Sequence, residues 1–364
     1  SLLFHRVRFE TMFGTAANAQ KYAEKALELV RSGKVATNKQ LGMVLIHGSR
    51  NFARAGLSEP AKAVARELFD TTRRHVNTTF GPKSREMCFA LMNEGNKLYQ
   101  MGDHAAGAAR LAEAEPLISL LNSSSDDEDR HDLLGGLGHA ENDQGDFVKA
   151  EKHYARSLAI STRNDWKPHY RRNDSNGLAT ALVGQRKYAE AIPHVENLHR
   201  WKTAEKFSES ELAWSGMLLA TVQLAAGEKD DHRKTVLAML ERHEKAADVN
   251  ILARSAWALG VSHDTDPTVA AALEKRLTTR MTAFPKFAWG HWSLALVRLR
   301  AGDVDGAEAA LKAGGPTWST PPREWALHPI ISGLCAAKRG DTAAARLHLV
   351  KAETVIASES PSEK

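Results

Sequence analysis

The stretch "GDFVKAEKHYARSLAI", residues 145–160, opens on the turn pair Gly145-Asp146 and then sets Ala150, Tyr154 and Ser157 along one helical stripe. A helix that only had to face a generic core would carry Leu, Ile and Val there. Small, large, small at helical spacing asks for something else: another backbone coming very close at the small positions.

The same word recurs. It reads "GDHAAGAARLAEAE" from Gly102, "GDVDGAEAALKAGG" from Gly302 and "GDTAAARLHLVKAE" from Gly340. Weaker copies run "GLSEPAKAVAREL" from Gly56 and "RKYAEAIPHVENL" from Arg186, where the glycine is lost. A small residue follows five positions after each turn, at Ala61, Gly107, Ala150, Ala191, Ala307 and Ala345. Another lies seven positions before it, at Gly95, Gly138, Ala179 and Ala295, with Ala220 and Gly260 as weaker fits. Each unit therefore reads as helix, tight turn, helix, with small residues where the two helices cross, and repetition at this period means a solenoid.

This pattern resembles the tetratricopeptide (TPR) superfamily, with units starting near residues 42, 88, 131, 172, 213, 253, 288 and 326. The longer units resemble its kinesin-light-chain-like class. That second likeness rests on "FGPKSREMCFALMNEGNKLYQMG", residues 80–102, with its Gly-Pro and mid-helix Asn. The resemblance implies an all-α fold, a right-handed α-solenoid of about eight TPR-like hairpins over residues 42–355. Residues 1–41 are expected to form a partial repeat or N-terminal capping helices, and 356–364 a flexible tail. Three departures predict distorted units: Glu94 and Glu141 stand where Leu and Tyr are usual, and Pro267 replaces a turn glycine.

Composition narrows the function classes. Hydrophobic residues at 43% and charged residues at 26% suit an ordinary soluble protein. No run approaches the 18 or so apolar residues of a membrane span. Cys88 and Cys335 lie in different units, without disulfide or metal spacing, which points to a reducing, cytoplasmic setting. The net charge of +5 is mild, and basic clusters such as "KPHYRR" (167–172) alternate with acidic runs such as "SDDEDR" (125–130). A nucleic-acid binder would concentrate its cations, so nucleic acid is disfavoured as a partner, and a membrane is not expected. The chain opens "SLLFHRVRFE", with neither an initiating Met nor a signal core. It is expected to be a piece of a larger protein.

The search for chemistry returns no assembled catalytic set. Sixteen histidines include no His-Glu-x-x-His and no i, i+4 zinc pair. "LLGGLGHAEN", residues 133–142, lacks the strand that a phosphate loop follows. Gly138 there is a helix-crossing position, whereas Gly135 and Gly136 either weaken the helix or admit a partner's backbone. "RHD" at 130–132 has kinase letters in the wrong order, and no other kinase motif accompanies it. No enzyme activity, cofactor or metal is expected.

The resemblance implies that first helices line a concave groove. Carried over position by position, the groove residues are Met92, Asn96 and Tyr99, then His139 and Asn142, then Asn173, Asn176 and Thr180, and finally Trp289 and Trp292. Amides in register either hydrogen-bond an extended peptide or are simply solvated. The two tryptophans are either an exposed anchor, as hot spots favour, or buried packing. The expectation is a non-catalytic scaffold that holds a peptide or a partner domain. The alternatives are the regulatory or substrate-recruiting TPR region of a bacterial serine/threonine kinase, which the C-terminal units resemble, or the repeat region of a transcriptional regulator.

Overall fold

The structure is a computed structural model that describes residues 59–122, 124–315 and 326–358, with five isolated positions between 21 and 32. The expected N-terminal cap and the first helix of the first repeat lie outside the described residues. Those residues form fifteen α-helices and no strand. In chain order they are α1 (Glu59–Phe80), α2 (Arg85–Gln100), α3 (His104–Ala114), α4 (Asp127–Gln144), α5 (Phe147–Arg163) and α6 (Pro168–Gly184). Next come α7 (Tyr188–Ala204), α8 (Glu209–Ala225), α9 (Lys229–Arg242), α10 (Val249–Gly260) and α11 (Pro267–Met281). The last are α12 (Ala288–Arg300), α13 (Val304–Gly314), α14 (Leu327–Lys338) and α15 (Thr342–Ser358). The expected tail is thus helical as far as Ser358, and 359–364 lie outside the described residues.

The chain divides within α6 into two compact units, residues 1–181 and 182–364. In the first, α2 packs on α3, α4 on α5, and α4 also on α2. In the second, α8, α10, α12 and α14 each pack on the helix that follows, and each touches the next in that series. A first helix that meets both its own partner and the next first helix is how stacked hairpins share a core. The fold is an all-α helical repeat of the solenoid class. Among the described residues no helix is long and apolar enough to cross a membrane.

The Gly-Asp pair makes the turn by two separate means. Gly102, Gly145, Gly302 and Gly340 all have φ between 79° and 90°, where a Cβ is penalised and glycine is not. With the chain turned there, the amide of Asp146 donates to the Glu141 carbonyl at 2.9 Å, closing the helix behind it. The aspartate side chain caps the helix ahead: Asp146, Asp303 and Asp341 accept from the amides of Lys149, Gly306 and Ala344. Where the glycine is lost, Arg186 takes its place at φ 60° and carries the strain of that region. Pro267 is not a turn residue. It is the first residue of α11, capped by Asp266, and the hairpin is joined instead by a longer loop, residues 261–266.

Tyr154 answers the question raised by its stretch of sequence. A methyl placed on Gly138 of α4 would lie 2.8 Å from two atoms of the Tyr154 ring. One placed on Gly177 of α6 would have three ring atoms within 2.5 Å. The phenol ring is therefore held between two bare stretches of backbone, one on each neighbouring first helix. Gly95 and Gly107 bring α2 and α3 equally close: a methyl on Gly107 would sit 2.6 Å from the Tyr99 ring and 2.9 Å from the Gly95 carbonyl oxygen. Ala150, Ala191 and Ala307 are fully buried at the equivalent crossings, and Ala345, in the last described helix, is half-buried. The side chain of Ala61 lies outside the described residues. Ala150→Leu is expected to cost about 1–3 kcal/mol by overpacking, read as a lowered urea midpoint; an unchanged midpoint would contradict this register.

Glu94 and Glu141 distort nothing, and α2 and α4 run unbroken through them. Glu94 is buried and accepts from Arg110 Nε at 2.9 Å, with Arg73 Nε 3.3 Å from its second oxygen. Burial raises its carboxyl above the usual range, although both guanidiniums oppose the shift. Glu141 pairs with His153 Nδ1 at 2.7 Å. At both sites a polar pairing fills the place of an apolar contact.

Candidate functional site

The expected groove residues separate once side chains are placed. Asn96, Tyr99 and His139 line one cleft of about 390 Å³ between α2 and α4, with Asn93, Lys97, Gln100, His104, Asp132 and Gly136. Three of the expected residues are corrected to the interior. Met92 is 1% exposed, because its turn of α2 faces the core and not the groove. Asn142 is buried and donates from Nδ2 to the Gly177 carbonyl at 3.0 Å, so its amide ties α4 to α6. Trp292 is fully buried in the core of the second unit and offers no surface.

The remainder reach solvent. Asn173 and Thr180 are exposed on α6, and Asn176 is half-buried between them. Each is already engaged locally: Asn173 accepts from Arg172 Nε at 3.0 Å, and Thr180 donates to the Asn176 carbonyl at 3.0 Å. Trp289 is half-buried against the core, its ring 4.7 Å from that of Trp257 at 32°.

The α2–α4 cleft is polar and shaped by glycine. Asn93, absent from the expected groove, is 5% exposed yet lines the cleft, and its side chain makes no hydrogen bond among the described residues. Asn96, one turn on, is equally unengaged. A methyl on Gly136 would collide with the Asn96 carboxamide, with Cγ 3.4 Å away. Gly136 therefore keeps that amide free to turn into the cleft, which gives the glycine pair of "LLGGLGHAEN" a physical role. At the far side Asp143 gathers three groups. Tyr99 hydrogen-bonds to it, and His104 Nδ1 and His139 Nε2 stand 3.6 and 3.9 Å away. Burial, with that carboxylate beside it, pushes the Tyr99 phenol up to about 12, so the hydroxyl stays protonated and its O–H is directed at Asp143. Asn93 is missed by the position-by-position reading and is found only once the cleft lining is seen.

A second polar group lies wholly inside the first unit. Asp174 of α6 accepts from Ser157 at 2.9 Å and Ser161 at 3.1 Å, and pairs with His131 Nε2 at 2.9 Å. The rings of Trp166 and Tyr170 close over His131 at 5.2 and 5.4 Å. The residue types are those of a hydrolase triad, but the wiring differs. A nucleophilic serine must donate to the imidazole, whereas here both hydroxyls donate to the carboxylate and all four groups are buried. Burial disfavours the charged ring of His131, yet the carboxylates of Asp132, 3.6 Å from Nδ1, and Asp174 outweigh it and raise its pKa to about 9. The result is a structural ion pair. Burial likewise raises Cys88 to about 12 and Cys335 to about 11, which keeps both as inert thiols. Among the described residues no cluster of His, Cys, Asp and Glu has the geometry to hold a metal.

No protein-family model matches the sequence, and no curated protein matches it. Solved structures share the fold. The apo form of RapI superposes with a TM-score of 0.66 at 9% identity, over 98% of each chain. A tetratricopeptide repeat protein from Parabacteroides merdae gives 0.52 at 15% identity, over 74% of this chain and 93% of its own. A Rap protein complexed with Competence and Sporulation Factor gives 0.50 at 9% identity, over 98% of both chains. Likeness at these identities establishes a TPR-like helical-repeat fold and nothing finer.

Proposed function

We propose that the protein is a non-catalytic scaffold that holds an extended peptide segment of a partner in the α2–α4 cleft. The observation that carries this reading is the pair Asn93 and Asn96, two carboxamides without internal partners that line a preformed cleft. Their donors and acceptors are open to the cleft, and a peptide backbone offers the alternating donors and acceptors that satisfy a carboxamide. The volume of about 390 Å³ is at the small end of the range for ligand pockets, about 300–1,000 Å³. It suits a few residues of a chain and not a whole domain. The exposed edge of α6, with Asn173, Asn176 and Thr180, supplies the next row of contacts. That a Rap protein of similar fold was solved with Competence and Sporulation Factor supports a role in holding a partner.

The test is selection of binders from a random 12-residue display library, followed by titration of synthetic copies. Asn96→Ala combined with His139→Ala is expected to weaken binding about tenfold or more, since each lost hydrogen bond is worth about 0.5–1.5 kcal/mol. Thermal stability should stay close to the parent's, because His139 is exposed and the half-buried Asn96 carboxamide makes no hydrogen bond that the change would remove. Binders indifferent to both changes would place the partner elsewhere and overturn the reading.

A further inference from the structure

The second unit carries a different surface on its first helices. At the positions that α8, α10 and α12 leave half-buried stand Trp214, Met217, Arg254, Trp257 and Trp289. Met217, Trp257 and Trp289 are seated on the core beneath them, so they are held rigid while one side stays open. Trp, Met and Arg are the side chains enriched at protein interfaces, where Lys, Glu and Asp are depleted. Rigid aromatics also lose little conformational entropy when they are covered.

The guanidiniums on this face form no ion pair among the described residues, although Asp248 lies near enough to Arg254 to favour its charged form. Arg254 donates from Nη1 to the carbonyl and hydroxyl oxygens of Ser210, the latter at 2.7 Å, which fixes the guanidinium between α10 and α8. Its Nε and Nη2 make no hydrogen bond, and no carboxylate lies within ion-pairing distance among the described residues. Arg300, on α12, donates only to the Gly260 carbonyl, at 2.8 Å, and also has no carboxylate partner there. Arg242, Arg298 and Arg339 of this unit are paired instead, with Glu209, with Glu274 and with Asp305 and Glu308, while Arg276 is bound only to backbone carbonyls. A half-buried guanidinium with free donors beside a stacked tryptophan pair is a two-point receptor. It takes a carboxylate on the fork and an apolar side chain on the rings.

We infer that this face binds an acidic, apolar peptide segment of a partner protein, with an aliphatic or aromatic side chain on Trp257–Trp289 and an Asp or Glu carboxylate on Arg254. The inference rests on the scaffold reading but uses a face in the other unit, so the two fail separately. The probes are 12-residue synthetic peptides with a central Leu-x-x-Phe, flanked by Asp/Glu, by Lys or by Ser, titrated by calorimetry against the full chain. The Asp/Glu set is expected to bind at least tenfold more tightly than the Ser set and to weaken with added salt. Arg254→Gln should abolish that preference while the Ser set binds as before, which shows that the face is still folded. Trp257→Leu should weaken all sets, and Asn96→Ala none. Equal binding of the three sets, no binding by any, or an acidic preference that survives Arg254→Gln would overturn the inference. So would displacement of the acidic peptide by a single-stranded oligonucleotide at equal concentration, because the face would then be reading phosphate and bases.

Discussion

Gly177→Ala lowers the stability of the first unit by about 2–3 kcal/mol, although alanine is the better helix former by about 1 kcal/mol. The reason is Tyr154. Three atoms of its ring lie within 2.5 Å of where the new methyl would be, and on its other side the ring already meets Gly138. It cannot slide away without pushing into α4, since close-packed interiors have no slack to take it up. Urea unfolding followed by circular dichroism measures the loss. Tyr154→Leu in the Gly177→Ala background should recover part of it, giving a coupling of about 0.5–3 kcal/mol in the double-mutant cycle. A Gly177→Ala variant as stable as the parent would mean that the ring is not lodged there.

Asp174→Ala is expected to cost about 3–5 kcal/mol, the usual penalty for removing one partner of a buried charged pair. Ser157 and Ser161 keep fallback acceptors in the carbonyls of His131 and Leu158, at 3.3 and 3.2 Å. His131 has no such fallback for Nε2. The pH dependence identifies this pair. The ring titrates near 9 in the folded chain against about 6.5 unfolded. Its charge therefore contributes stability that is complete below about 6.5 and disappears as the pH rises through 9. The gap in unfolding free energy between the parent and Asp174→Ala should be widest near pH 6 and narrower at pH 10. A gap that is constant with pH would mean that His131 is neutral in the fold.

Much of the repeat was legible because it is written in backbone needs. Gly145 and its equivalents mark left-handed turns, the following aspartates mark caps, and Ala150, Ala191 and Ala307 mark crossings. Each is a local demand that one residue type meets best, so spacing alone recovers it. Pro267 was misread for the same reason: it satisfies a local rule at a helix start as well as it breaks one in a turn. The candidate cleft was half legible. Asn96, Tyr99 and His139 come together because a helical period places them on one face of adjoining first helices. Met92 and Asn142 share that nominal face, but packing against neighbouring helices buries both, and no period encodes those neighbours.

The amino-acid sequence by itself determined the all-α repeat, the positions of its turns and where its helices could approach, because those depend on φ and on the volume of single side chains. Only the tertiary structure decided which polar groups would be satisfied inside. Asp174 finds Ser157 and Ser161 on α5 and His131 on α4, Glu94 finds two arginines, and Asn93 and Asn96 find no partner. Hydrogen bonds and ion pairs join residues distant in sequence and form only within a few tenths of an ångström of one geometry. The pairings, and the two carboxamides left open to a partner, follow from packing that no single stretch of sequence contains.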